Sequence, residues 1–292
     1  MPAPIRPRRS VLYMPGSNAR ALEKARGLAA DGLILDLEDA VAPNAKEEAR
    51  TQVCEAVRAG GYGKREILIR TNGLNTPWGH GDLVAAAKAG ADGVLIPKVE
   101  SADAVRQALG ILDMAGAPAA LYLWCMMETP RAMLRAEEIA SASDRIGGLV
   151  VGTSDLAKEI QAAHTPQRLP MITSLSLCVL AARAFRLAVL DGVYLDLQDE
   201  AGFVHACVQG VELGFDGKTL IHPKQIAAAN EAFAPNLDEV AQARKIIAAY
   251  EGATREGKGV VVVDGRLIES LHVVEAKHVV NIAEMIDQMA AA

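Results

Sequence analysis

Two carboxylates and one guanidinium carry the first chemical argument of this sequence. Glu128 closes the apolar run Leu121 to Pro130, LYLWCMMETP, and Asp155 closes GLVVGTSD, Gly148 to Asp155, behind a glycine and two hydroxyls. A buried strand that ends on an acid presents that acid at an open rim. Two such acids on neighbouring strands form a seat for a hard divalent cation, which takes oxygen ligands and keeps waters for substrate. Arg70 interrupts ILIRTN where a buried strand stays apolar. Its forked guanidinium suits a carboxylate or a ketone oxygen.

Other charged residues fall at the same kind of place. The ends of the apolar runs carry Pro15, Gly16 and Ser17, then Asp36, Glu38 and Asp39, then Asn72, Pro97 and Lys98, and last His222, Pro223 and Lys224. Each has a plain alternative. Asp155 alone could cap the following helix, and Glu38 or Asp39 could be an ordinary salt-bridge partner. Lys98 fits the counter-charge of Glu38 or Asp39, because a buried lysine needs one. His222 is a candidate general base, but an HP pair at a strand end more often fixes a turn. The other histidines, His80, His164, His205, His272 and His278, have no metal-ligand spacing, and no GxSxG or catalytic-cysteine pattern occurs.

The elements that must position these residues form a repeat. Eight β-rich runs, Ser10 to Met14, Gly32 to Leu37, Glu66 to Thr71, Gly93 to Val99, Ala120 to Met127, Gly148 to Val151, Val189 to Leu195 and Gly217 to Ile221, alternate with stretches of helical composition. Among the latter are Ala19 to Ala30, Lys46 to Ala59, Gly81 to Ala89 and Ala102 to Met114, rich in good helix formers. The pattern predicts crossover units and, at a count of eight, an α/β fold of the closed (β/α)8 TIM-barrel type. An open doubly wound sheet is the alternative, but no GxGxxG follows the first strand. In a barrel the site lies at the C-terminal ends of the strands, where these acids and bases sit. The repeat breaks at Ala234 and Pro235. The division read here is a catalytic barrel over 1–234 and a C-terminal lid or arm over 235–292, comprising a helix from Leu237 to Glu256, a β-like segment from Val260 to Leu267 and a last helix from about Leu271.

Composition limits the remaining possibilities. Of 292 residues, 51% are hydrophobic and 23% charged, enough for a sizeable core. A net charge of -6 argues against a general nucleic-acid binder. The start, MPAPIRPRRS, has arginines but no apolar stretch behind it, and no run reaches the ~18 apolar residues of a membrane span, so a cytoplasmic address is expected. Cys54, Cys125, Cys178 and Cys207 form no CxxC pair and read as buried free thiols.

The stretches RSVLYMPGSNARALEKA, LILDLEDAVAPNAKEEAR, ILIRTNGLNTPWG, VLIPKVE, MMETPRAM, VVGTSDLAKE, DGVYLDLQDEAGF and GFDGKTLIHPKQI run in order from about Arg9 to Asn230. In content and spacing the chain resembles the citrate lyase beta-subunit-like branch of the HpcH/HpaI aldolase family, nearest to its malyl-CoA lyases and (3S)-malyl-CoA thioesterases. GVYLDLQDEAGF and DGRLIESLH lean toward the thioesterase-like members. The resemblance implies that Glu128 and Asp155 bind Mg2+, with Mn2+ as a substitute, and that Arg70 holds an oxygen of a 2-oxo acid or malyl group. It implies coenzyme A across the barrel mouth, where Arg20, Lys24 and Lys224 are the candidate phosphate partners. It implies a homotrimer or homohexamer in which one subunit's arm covers the next subunit's site. Most lyase members carry an acid/base aspartate in a GxMxD pattern in that arm; this chain reads Gly265, Arg266, Leu267, Ile268, Glu269. The glutamate keeps the carboxylate and reaches one methylene further.

The leading expectation is a Mg2+-dependent carbon-carbon lyase that splits malyl-, methylmalyl- or citramalyl-CoA into a 2-oxo acid and a shorter acyl-CoA, with Glu269 as the acid/base. The alternatives are hydrolysis of the malyl thioester to malate and CoA, and a citrate lyase beta-like subunit working with an acyl-carrier protein. A barrel that merely binds CoA is the remaining reading.

Overall fold

Runs such as GLILD and GVLI are apolar on both faces, so they can only be strands covered on both sides. They become the parallel strands β1 (Ser10–Pro15), β2 (Gly32–Asp36), β3 (Glu66–Arg70), β4 (Gly93–Ile96), β5 (Tyr122–Met127), β6 (Ile146–Val151), β7 (Ala188–Asp191) and β8 (Gly217–Leu220). Neighbours in sequence are neighbours in space, and β8 pairs back onto β1 to close the barrel. The computed structural model describes residues 5–290.

Alternate strand residues point inward. Val11, Ile34, Leu68, Leu95, Trp124, Met126, Val150 and Leu190 fill the barrel lumen, and a larger apolar layer lies between the strands and the surrounding helices. Trp124 sits where the β5–β6 register slips: Leu123 pairs with Ile146 but Trp124 with Gly148. The four cysteines are buried free thiols.

Several strands stop earlier than their apolar runs. Leu37, Thr71, Val99 and the stretch 192–195 lie outside the strands predicted to contain them, although the Leu37, Thr71 and Val99 N–H groups still bond to Arg70 O, Leu95 O and Met126 O of the neighbouring strands; just beyond, the backbone turns to local carboxylates. Glu38 N–H bonds to Asp36 Oδ1 at 2.8 Å, and Gly192 N–H bonds to Asp191 Oδ1 at 2.8 Å. The helices Lys46–Ala59 and Ala102–Met114 lie where composition predicts them. The first helix is shorter than expected, Ala19–Ala25, since the chain unwinds through three-residue turns at Arg26, Gly27 and Leu28.

The barrel unit spans Arg8–Phe233, and a second unit comprises Ile5–Pro7 with residues 234–290. In the second unit, helix Leu237–Arg255 starts on an Asn236/Glu239 capping box. The β-like stretch proves to be a hairpin of two short strands, β9 (Val261–Val263) and β10 (Arg266–Ile268). Asp264 and Gly265 form its two-residue turn, both with positive φ, 49° and 77°. Helix Ser270–Ala290 follows, and Val263, Ile268 and Val273 pack with Ile246, Ile247 and Tyr250. Among the described residues no helix is long and apolar enough to cross a membrane.

Candidate active site

Glu128 reaches the rim through the local grammar of ETP. β5 ends at Met127, Thr129 Oγ1 accepts the Ala132 N–H at 3.1 Å, and Pro130 takes the first helical position, so Glu128 is left at the strand-to-helix corner. Its Oε1 accepts the Lys98 N–H at 2.8 Å. Lys98 adopts φ 50°, a left-handed conformation that non-glycine residues rarely take and that is frequent at functional sites. Glu128 Oε2 has no hydrogen-bond partner among the described residues and lies against Gly152, where an added Cβ would stand 2.5 Å from it. Only 2% of the residue is exposed. Burial pushes its acid up to about 7; the Lys98 N–H opposes this, and the charges of Glu38 and Asp155 add to it.

Asp155 lies in the first turn of helix Thr153–Glu159, whose N-cap is Gly152, so it is not the capping residue. It lines the same cavity as Glu128 and Arg70, a space of about 360 Å³ at the C-terminal ends of the strands. Tyr13, Asp36, Asp39, Met126 and Thr219 also line it, and Val193, Leu195 and Ile221 form an apolar side.

Arg70 is more committed than its sequence context suggested. Its Nε and Nη2 donate to Asp36 Oδ1 and Oδ2, both at 2.7 Å, so one edge of the fork is spent on a protein carboxylate. The Nη1 end stands 2.9 Å from Glu38 Oε2 and 3.6 Å from Asp39 Oδ2. Lys98 Nζ holds the other oxygen of Glu38 at 3.1 Å, which is the counter-charge role expected of it. Five carboxylates, Asp36, Glu38, Asp39, Glu128 and Asp155, therefore stand against three cations, Arg70 and Lys98 at the rim and Lys46 behind it, and the ion pairs there go to Asp36, Glu38 and Asp39. Such a rim repels an acidic ligand unless a further positive charge enters. A hard divalent cation fits that need: Glu128 offers a free oxygen in a cradle that only glycine leaves open, Asp155 offers a second carboxylate, and Mg2+ commonly uses one or two protein carboxylates with water and substrate oxygens. Among the described residues no group of three or more metal-ligating side chains exists, so a dedicated all-protein cage is not what this rim provides.

Comparison with known proteins shows the family of the chain. The family model for HpcH/HpaI aldolase/citrate lyase matches residues 9–223. The chain belongs to this family. Within it, a (3S)-malyl-CoA thioesterase of Cereibacter sphaeroides is 50% identical over 280 residues, covering 96% of each chain. The citrate lyase subunit beta of Escherichia coli is 36% identical over 285 residues, covering 96% of this chain and 94% of its own. Among solved structures, the CitE protein of Mycobacterium tuberculosis in complex with magnesium, acetoacetate and coenzyme A superposes with a TM-score of 0.74 at 28% identity, covering 96% of this chain and 98% of that one. A citrate lyase beta subunit of the same organism is complexed with oxaloacetate and magnesium, at TM-score 0.65 and 30% identity over 78% of this chain and 98% of that one.

The remaining predicted residues of this HpcH/HpaI barrel lie outside the cavity lining. Arg20 and Lys24 are exposed on the helix after β1, and Lys224 is exposed after β8, the strand beside β1. His222 serves the turn: its Nδ1 accepts the Lys224 N–H at 3.1 Å, which ends its candidacy as a free base. Glu269 belongs to the second unit, exposed between β10 and the last helix, its N–H bonded to His272 Nδ1 at 3.0 Å.

Sequence reasoning overlooked the groups that hold the rim from behind. Lys46, the first residue of its helix, donates to the carbonyls of Leu37 and Glu38 at 2.9 and 2.7 Å, and burial lowers its pKa. Asp82 accepts from Arg50 Nε at 2.6 Å and from Asn72 Nδ2 at 2.6 Å, while Asn72 Nδ2 also donates to Leu37 O. These contacts fix the turns after β2 and β3. Lys46 and Asp82 look like ordinary helix residues in sequence; nothing in their spacing marks them.

Proposed function

We propose that this protein is a Mg2+-dependent hydrolase of malyl-CoA-type thioesters, releasing the free dicarboxylic acid and CoA. The supporting observation is the convergence of Arg70, Glu128 and Asp155 on one cavity in a chain 50% identical along 96% of its length to a (3S)-malyl-CoA thioesterase. When bound at Glu128 and Asp155, Mg2+ or Mn2+ supplies a Lewis acid that polarises substrate oxygens. Arg70 orients the malyl end through its Nη1 side, with Asp36 fixing the guanidinium. Water adds to the thioester carbonyl, the carbon-sulfur bond breaks, and the thiolate leaves as CoA after taking a proton. Glu269, acting on a neighbouring subunit's barrel, is the carboxylate assigned to take the proton from the attacking water. Arg20, Lys24 and Lys224 are assigned to the CoA phosphates, the assembly to a homotrimer or homohexamer, and the compartment to the cytoplasm.

A second reading is reversible carbon-carbon cleavage of the same substrates, supported by the aldolase/citrate lyase family model and by 36% identity to a citrate lyase subunit beta. In that reaction the thioester enolate left by bond cleavage is protonated by Glu269. Incubating the enzyme and Mg2+ with malyl-, citramalyl- and methylmalyl-CoA, followed by mass spectrometry, separates the two. Free dicarboxylic acid plus CoA supports hydrolysis; an oxo acid plus a shorter acyl-CoA supports cleavage. Gel filtration coupled to the same assay tests whether the lone chain acts on free CoA thioesters or needs a carrier protein.

A further inference from the structure

One polar group on the cavity wall has no part in the chemistry above. Tyr13 sits two residues beyond the inward-facing Val11 on β1 and packs against the lumen cluster. The guanidinium carbon of Arg70 lies 4.7 Å from its ring centre. Among the described residues its hydroxyl reaches only Met126 Sδ, at 3.9 Å, a long contact to a weak acceptor. Asp36 is occupied by Arg70, and Glu38 is ion-paired with Arg70 and Lys98. Glu128 accepts from the Lys98 N–H, so none of the nearby acids takes the phenol's proton in a hydrogen bond. A half-buried phenol on the cavity wall, with no better protein acceptor than a thioether, lacks the free energy of a normal hydrogen bond within the protein. An arriving oxygen ligand restores it.

The ligand end that this arrangement fits is a carboxylate. Its two oxygens accept up to about four hydrogen bonds, enough for the Nη1 side of Arg70 and the phenol together. Burial first, with Arg70 opposing and the neighbouring carboxylates adding, raises the Tyr13 pKa, so the hydroxyl stays protonated and remains a donor.

Resting on the malyl-thioester reading, we propose that Tyr13 is a substrate-binding residue whose hydroxyl leaves Met126 and donates to the free carboxylate of the malyl group beside Arg70. That carboxylate keeps its charge throughout thioester hydrolysis, so the bond is equally strong in ground and transition states. Free malate, the product, retains the same group.

The test is Tyr13→Phe, which removes only the hydroxyl and keeps the ring beneath Arg70. Measured with malyl-CoA and Mg2+, KM should rise about tenfold, as for a lost hydrogen bond to a charged group. kcat should stay within about threefold, and the inhibition constant of malate should rise in parallel with KM. An unchanged melting temperature separates this from a packing defect, which would not raise the malate constant alongside KM. A KM and a malate constant both within about twofold of wild type would overturn the proposal, and so would a fall in kcat at constant KM, which would put the hydroxyl at the reacting carbonyl. A wild-type enzyme inactive on every malyl-type thioester would overturn the functional reading and this proposal with it. An active wild type with an unaltered Tyr13→Phe variant would overturn this proposal alone.

Discussion

Glu128 is held against its own chemistry. Its acid sits near pH 7 in the fold, against 4.5 for the ordinary side chain, chiefly because burial disfavours the charge. A raised carboxyl pKa means that the folded state binds the proton more tightly. Stability from this group is therefore present below about pH 4.5 and is lost as pH rises to about 7. The shift corresponds to a penalty of about 3 kcal/mol at most above pH 7. In metal-free protein, Glu128→Gln should thus melt several degrees above wild type at pH 8, with the gap narrowing toward pH 5, by calorimetry across that range. The same proton competes with the cation: below pH about 7, Mg2+ affinity measured by titration calorimetry should fall by up to tenfold per pH unit. Catalytically, Glu128→Gln and Asp155→Asn should both abolish turnover while the fold persists, and EDTA should do the same to wild type. Full activity in EDTA would contradict the metal assignment. Arg70→Lys should lose on the order of 10²-fold in kcat/KM, because a point charge cannot hold Asp36 along one edge and a ligand along another.

At the scale of elements, the site depends on where strands stop and what the next turn does. Gly152 follows β6 and makes room for the Glu128 carboxylate. Gly152→Ala, whose added Cβ would stand 2.5 Å from both Cβ and Oε2 of Glu128, should therefore weaken Mg2+ binding at least tenfold and lower the melting temperature by several degrees, both read by calorimetry; an unaltered affinity would mean that Oε2 is not a ligand. Much of this element structure was legible beforehand. Apolar runs such as LYLWCMM and GLVV announced buried strands, their count predicted a barrel, and the barrel put Arg70, Glu128 and Asp155 at one rim. The hidden part was pairing across the barrel. That Asp36 would claim one edge of Arg70 follows from β2–β3 register, in which the two residues are direct neighbours, and no single run encodes that. Tyr13 was equally silent, since an aromatic in a strand normally reads as core. The Asp264–Gly265 turn is legible in the sequence, because a DG pair behind a run of valines is a hairpin signal inside the β-like segment Val260 to Leu267.

For the whole molecule, the central question is what the C-terminal unit contributes. If Glu269 acts on a neighbouring subunit's barrel, Arg70→Ala and Glu269→Gln variants, each inactive alone, should regain part of their activity after subunit exchange. Some mixed interfaces then pair an intact Arg70 with an intact Glu269. Activity that stays at background however long the exchange proceeds would place Glu269 in service of its own barrel, or of none. The claim beneath all of these is that the enzyme hydrolyses the malyl thioester directly. The most direct measurement is turnover of malyl-CoA with Mg2+ in 18O-labelled water, with products identified by mass spectrometry. The account predicts malate carrying one 18O in the carboxylate derived from the thioester, together with free CoA and no accumulation of oxo acid. Acetyl-CoA plus the oxo acid, with no labelled malate, would contradict it.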